Sequence, residues 1–433
     1  MHPELSFEQA PPIDVPFRFF LTAPLFGIAA GLLLFLVGGD MLASRWTPTA
    51  LAGTHLLVAG YLLLAMCGAL MQFVPVAAGG NIWRPRLVAA WTHPLLIVSV
   101  TLLVAAFLTQ RSTLFLAAAH GFTLALGVFG IVVSAALWRS PARGPTIVAL
   151  RIALIGLLVT LALGVTLAIG IARNAGWPLL SLTDVHAAWG LGGWALILLA
   201  GVSYLVVPMF QLTPSYPAWL ARGLPLMLIM VLLAWSTQYA DTARNESLLI
   251  LLGGLGVSSL FAVETLHLQH RRRRKVSDVT LLFFRTAMLS LLAALLSALV
   301  FAMFPELRFD PRIAVWLGVL AIVGVFVSAI NGMLYKIVPF LNWLHLQNLC
   351  GLQAVPPTMH QMIPAAAMRW QFRVHIAALS LLLAAVWVPA LARPAGLLFA
   401  VSSAWLGWNL IGAVGVYRRF RNRIRAGAED CRC

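Results

Sequence analysis

Gln72-Phe73-Val74-Pro75, Tyr204-Leu205-Val206-Val207-Pro208 and Tyr335-Lys336-Ile337-Val338-Pro339 repeat one short text, each closing a long apolar segment. Their prolines are 133 and 131 residues apart. A second marker keeps the same step. Arg18 in Phe17-Arg18-Phe19-Phe20, Arg151, and Arg285 in Phe283-Phe284-Arg285-Thr286 are 133 and 134 residues apart, each early in an apolar segment. A period held by two independent markers reads as a tandem repeat of about one third of the chain. The expected architecture is three copies of one helical unit around a pseudo-threefold axis in a membrane.

Composition agrees with a lipid environment. Hydrophobic residues make up 61% of the chain and charged residues 10%, with a mean hydropathy of +0.94, which excludes an ordinary soluble domain. Apolar runs of about 18 residues or more read as membrane-spanning helices. Twelve are found, at 17–38, 50–76, 86–108, 113–138, 146–172, 185–210, 218–239, 247–267, 279–303, 313–340, 371–391 and 395–417. Twelve helices over three repeats give four per repeat. The expected fold is an all-α membrane protein, with repeats at about 17–144, 145–276 and 277–417, an N-terminal tail at 1–16 and a basic tail at 418–433.

The formal charge of +16 points to a membrane rather than to nucleic acid. Lys and Arg in loops after even-numbered helices and in the C-terminal tail outnumber those after odd-numbered helices more than twofold. The positive-inside rule then puts both termini in the cytoplasm, in a bacterial inner membrane. The run Arg271-Arg272-Arg273-Arg274-Lys275 and the tail from Arg418 to Arg425 serve as topology signals and contacts to anionic lipid. The first sixteen residues are polar and carry no secretory signal pattern. Cys67, Cys350, Cys431 and Cys433 form no disulfide framework and are expected reduced. The longest loop, 341–370, is too short for a separate domain, and no P-loop, dinucleotide fingerprint or nucleophile elbow occurs.

Ten histidines need accounting for in lipid, where polar groups are costly and mark function. His55 and His186 sit at the outer starts of helices 2 and 6, 20 and 22 residues before their repeat prolines, and so at nearly one depth. His120 lies two turns into helix 4, in the same half of the membrane, while His93 and His375 enter from the cytoplasmic side. Neutral imidazole ligates haem iron, copper or zinc without placing a charge in hydrocarbon. The alternative for each is an interhelical hydrogen bond. That reading suits His2, His267, His270 and His345, at tails, loops and helix ends.

Small residues follow both outer histidines: Ala59-Gly60 after His55, and Gly190, Gly192 and Gly193 after His186. They leave space beside the helix, for a neighbouring helix or a flat macrocycle. Arg18, Arg151 and Arg285 either snorkel to headgroups or pair with an acid or anionic ligand. Acids are scarce in the apolar runs, Glu264 being the main one, which argues against a proton-coupled carrier built on a carboxylate relay.

Thr54-His55-Leu56-Leu57-Val58-Ala59-Gly60-Tyr61 through Val74-Pro75, and Asp184-Val185-His186 through Tyr204-Leu205-Val206-Val207-Pro208-Met209-Phe210, resemble helices 2 and 6 of subunit I of the haem-copper oxidases. They are most similar to its short relatives, the NnrS-type haem and copper membrane proteins, whose start the segment Pro16-Phe17-Arg18-Phe19-Phe20 also resembles. The resemblance implies twelve helices in three arcs with cytoplasmic termini. It puts His55 in the place of a haem ligand and His186 in the place of a copper ligand. The departures are equally informative. Segments 218–239 and 313–340 contain no histidine, Gly190 stands where the oxidases have a tyrosine, and helix 2 carries one histidine where the NnrS-type arrangement has two. A three-histidine copper centre therefore cannot form, and oxygen reduction by the oxidase route is not expected.

These readings converge on a haem-binding integral membrane protein, with copper as a second candidate metal at His55 and His186, serving redox or nitric-oxide stress or respiratory assembly. The haem is expected to be b-type, since no Cys-x-x-Cys-His motif occurs. The candidate cofactor residues are His55, His120, His186, His93 and His375, with His120 chosen to oppose His55 across the haem. Membrane lipid and a redox partner or respiratory complex are the expected partners. The competing classes are a transporter or channel without cofactor, and a structural or assembly subunit.

Overall fold

Apolar runs bounded by helix-starting residues produce the architecture seen in the computed structural model, which describes residues 7–240, 248–273, 278–304, 306–307, 310–350 and 355–430. Among these residues every regular element is helical, and twelve helices are long and apolar enough to cross a membrane. They are α1 (Asp14–Leu42), α2 (Pro48–Ala78), α3 (Pro85–Thr109), α4 (Ser112–Arg139), α5 (Pro145–Ala172) and α6 (Leu179–Gln211), followed by α7 (Ala218–Thr237), α8 (Leu249–His270), α9 (Val279–Met303), α10 (Pro311–Leu349), α11 (Ala365–Trp387) and α12 (Pro389–Ile424). The chain is a multi-pass membrane protein. His2, Arg274, Lys275, Cys431 and Cys433 lie outside the described residues, as does the side chain of Cys350.

The starts of the helices follow from local chemistry. Pro48, Pro85, Pro145 and Pro311 open α2, α3, α5 and α10, where a residue without an N–H loses no helical bond. Thr47, Asp278 and Asp310 cap α2, α9 and α10 by accepting from Ala50 N, Leu281 N and Arg312 N.

Pro75, Pro208 and Pro339 lie inside their helices, within the expected spans, as membrane helices tolerate. The end of α10 differs from the sequence expectation. α10 runs through the start of the expected 341–370 loop. Its extension is held by buried Leu341, Leu344 and Leu346 and by Asn342 Nδ2 donating to Ala413 O of α12 at 3.0 Å. A short helix, Met359–Met362, also stands in that loop. The basic C-terminal residues continue the α12 helix as far as Asp430.

Sequential helices pack on one another, with α4 against α5, α8 against α9 and α12 back against α1, which closes the bundle. The closing contact is tight. A Cβ on Gly31 would come within 2.6 Å of Ala400 N and Gly396 O, so the two backbones meet there without side chains between them.

α2, α6 and α10 are the central helices, with 78%, 61% and 56% of their apolar windows buried, more than any other span. Each contains a π-helical stretch: Leu56–Leu62, Trp189–Leu196 and Leu320–Val327. The stretches begin 133 and 131 residues apart, the spacing of the prolines. Each central helix also carries a glycine seven residues before its proline: Gly68, Gly201 and Gly332. A Cβ on these would stand 2.8 Å from Phe19 Cβ, 2.6 Å from Ala149 Cβ and 2.8 Å from Phe283 Cβ respectively. Each central helix is thus seated on α1, α5 or α9 through the same glycine position.

Buried polar side chains bond across the remaining interfaces. Tyr61 OH donates to Asn331 Oδ1, linking α2 to α10. Asn409 Nδ2 donates to Tyr335 OH at 2.8 Å, and Gln371 Nε2 donates to Ser402 O at 3.1 Å. Such bonds fix helix register where apolar contact alone does not discriminate.

Candidate functional site

α2 and α6 each begin at the same end of the bundle, and each carries its histidine just before the π turn. A π turn inserts one extra residue per turn, re-aims neighbouring side chains and recurs at functional sites. Here it follows His55 directly in α2 and begins three residues after His186 in α6. Both imidazoles open onto one cavity of about 400 Å³, within the ~300–1,000 Å³ range of small-molecule and cofactor sites.

The two rings are held alike. His55 Nδ1 lies 2.8 Å from Leu51 O, and His186 Nδ1 lies 3.1 Å from Thr160 O. A carbonyl only accepts, so each Nδ1 carries the proton and each Nε2 presents a lone pair. Neither Nε2 has a hydrogen-bond partner among the described residues. Tying the non-ligating nitrogen to a backbone carbonyl is the usual way a metal-binding imidazole is oriented.

The surrounding wall is apolar and aromatic. Phe107 of α3 packs on the His55 ring with centroids 5.1 Å apart, and Phe115 of α4 meets Phe107 edge-on at 5.2 Å. On the other side, α5 lies so close to His186 that a Cβ on Gly164 would be 3.0 Å from its Cε1. The polar lining besides the imidazoles comes chiefly from Thr54, Thr160 and Thr183. Two of these hydroxyls are already spent on backbone carbonyls, Thr160 on Gly156 O at 2.7 Å and Thr183 on Leu179 O at 2.7 Å.

At the histidine end of the cavity stands Trp46, with the Arg45 guanidinium 4.2 Å over its ring. Arg45 also pairs with Asp184, two residues before His186, at 2.6 Å. This pair pins the α1–α2 connection to the start of α6. Sequence reading missed Arg45, Trp46, Thr160 and Gly164. Only Asp184 was signalled, by its place in the histidine motif.

The glycines after His186 divide between the two roles foreseen for them. Gly190 lines the cavity beside Thr160. Gly193 packs against Gly156 of α5, and a Cβ on Gly192 would sit 3.5 Å from Leu232 of α7. A neighbouring helix thus fills the space beside the latter two.

The other candidate histidines go elsewhere. His120 does not line the cavity; its side chain is exposed and its Nδ1 bonds Leu116 O at 2.7 Å. His93 Nε2 lies 3.0 Å from Thr22 Oγ1, which already donates to Arg18 O, and its ring stands edge-on to Phe19. His375 is fully buried, with Nε2 2.8 Å from Ser328 Oγ and Nδ1 without a partner. Neither reaches the cavity. His267, His270 and His360 are exposed.

Two of the three marker arginines are held by nearby groups. Arg18 pairs with Asp14 at 3.5 Å, and Arg151 donates to Leu137 O at 2.7 Å. Among the described residues no three His, Cys, Asp or Glu side chains gather as a metal site. No protein-family model and no curated protein sequence matches this chain.

Proposed function

We propose that the protein binds haem, with His55 and His186 as the residues that hold its iron. The observation carrying this reading is the pair of imidazoles that line one apolar cavity, each held by a backbone carbonyl on Nδ1 and each with Nε2 uncommitted. The donor set fits haem better than copper. Haem brings four nitrogens and asks the protein only for axial ligands, whereas copper would find two imidazoles and no third protein ligand of the His, Cys, Asp or Glu type nearby. His186 replaces His120 as the companion of His55. Bound haem would supply reversible one-electron chemistry. Leu51 O and Thr160 O orient the two imidazoles that would hold the iron, and Phe107, Phe115 and the aliphatic wall keep water out.

The same reading includes three four-helix repeats of the oxidase subunit I type. The recurrence of a π turn, a seat glycine and a proline in α2, α6 and α10 supports it. A bacterial inner-membrane location with cytoplasmic termini, a role in redox or nitric-oxide stress or respiratory assembly, and a redox or respiratory partner belong to it as well. A transporter would need a polar path, and the apolar lining of this cavity offers none.

The test is to express wild type, His55→Ala and His186→Ala with haem supplied, and compare visible spectra at equal yield. Wild type should show a Soret band that each variant loses or shifts. A colourless wild type, or unchanged bands in both variants, overturns the assignment.

A further inference from the structure

At the opposite end of the bundle, where α2, α6 and α10 approach their prolines, a second cavity of about 240 Å³ opens between α9, α10 and α11. Its character is the reverse of the first. Lys336 of α10, Asp278 at the head of α9, Arg369 of α11 and His360 of the preceding short helix line it together. Lys336 is the only lysine among the twelve spans of a chain that otherwise uses arginine, and the matching repeat positions hold Gln72 and Leu205. Its side chain is only 15% exposed. A largely covered ammonium within a membrane-embedded bundle is a functional group by default.

The charges around it do not cancel. Asp278 Oδ2 lies 3.5 Å from Lys336 Nζ, while its Oδ1 accepts from Leu281 N at 2.9 Å as the cap of α9. That contact takes one direction of an ammonium that has three donors. The Arg369 guanidinium, with five donors in a planar fork, has no acceptor among the described residues. Two cations and one carboxylate leave the cavity with a net positive charge, at the face where the basic loops cluster.

We propose that this cavity is an oxyanion site that takes a phosphate group, with Lys336 and Arg369 as its cationic donors and His360 at its rim. Lys336 supplies the point charge, and Arg369 the bidentate geometry that matches two phosphate oxygens. Asp278 holds Lys336 in place and repels a second anion. The phosphate belongs either to an anionic lipid headgroup, as in basic pockets between membrane helices, or to a soluble phosphate. The site is independent of the haem reading, and its occupancy leaves the visible spectrum unchanged.

Two measurements on the full chain distinguish the sources. Equilibrium dialysis of detergent-purified protein with radiolabelled inorganic phosphate reads the soluble arm. Lipid phosphorus retained after delipidation from phosphatidylglycerol nanodiscs, against phosphatidylcholine nanodiscs, reads the lipid arm. Arg369→Gln, at an exposed position, should weaken whichever binding is seen by about tenfold or more, the loss of a charge-assisted pair. The charge-balanced double variant Lys336→Gln/Asp278→Asn should do the same while sparing the fold. Arg173→Gln, an exposed arginine at the other end, should bind as wild type. Absence of binding in both arms, or unchanged binding in both site variants, overturns the proposal.

Discussion

Replacing Gly164 by alanine tests the proposed haem site through the position of the His186 ring. The added Cβ would stand 3.0 Å from His186 Cε1 and 3.5 Å from its Nδ1. The first distance is too short for comfortable packing, so the ring must move by a few tenths of an ångström. Nδ1 is already 3.1 Å from Thr160 O, near the long end of the hydrogen-bond range, so that shift breaks or weakens the bond. The direct loss is about 0.5–1.5 kcal/mol. The larger consequence is for the ligand, since removing the partner that orients a ligating imidazole costs about 10–100-fold in affinity. Stability should hardly change, because glycine to alanine inside a helix returns up to about 1 kcal/mol. Gly127, in α4 with nothing within 4 Å of a built Cβ, is the matched control. Titration of haem into apoprotein, read at the Soret band, gives affinity, and thermal unfolding of the apoprotein gives stability. Gly164→Ala should bind haem at least tenfold more weakly at an unchanged melting temperature, with Gly127→Ala like wild type. Equal affinities in all three proteins would refute the reasoning.

Three further outcomes follow from other parts of the fold. Gly31→Ala forces α1 from α12, where a Cβ would meet Ala400 N and Gly396 O at 2.6 Å; overpacking against backbone should cost about 1–3 kcal/mol, read as a lower unfolding midpoint in detergent. Tyr61→Phe removes the donor to Asn331 Oδ1 and leaves a buried carbonyl unpaired, a loss of about 1–3 kcal/mol, while the visible spectrum stays as in wild type. Membranes containing the protein should consume no oxygen with a reduced quinol or cytochrome donor beyond the rate of membranes lacking it, and consumption lost on His186→Ala would contradict this.

The span count was legible because hydropathy acts through local sequence. Helix ends were less so. α10 outruns its apolar stretch because Asn342 and Leu346 are stabilised by tertiary contacts, which no local pattern records. The π turns were invisible, since Leu56–Leu62 or Leu320–Val327 would pack equally well as ordinary helix. At the site, depth was read and azimuth was not. His120 shares the depth of His55, yet the cavity-facing residues of α4 are Phe115, Ala118, Ala119, Phe122 and Leu126. That spacing defines one helical stripe, and at about 100° per residue position 120 turns away from it. The stripe was present in the sequence, and applying it to each histidine would have removed His120 and kept His55.

The asymmetry between the three central helices explains why the paired imidazoles stand on α2 and α6 and have no counterpart on α10. α2 and α6 place a histidine within three residues of the π turn, whereas α10 has Leu317, Gly318 and Val319 there. In that third sector three polar groups of α10 bond across to neighbouring helices: Ser328 with His375, Asn331 with Tyr61, Tyr335 with Asn409. Ser328, Asn331 and Tyr335 are three and four residues apart, so they share one face of α10 and bind α10 to α11, α2 and α12 in turn. Hydrogen bonds that complete themselves between helices offer nothing to a ligand. The His55 and His186 rings differ on this point, since each leaves a nitrogen free on residues that line one cavity, whereas the partnerless Nδ1 of His375 is sealed in the core. Whether a polar group in the bundle serves packing or binding is decided by a free valence that a ligand can reach.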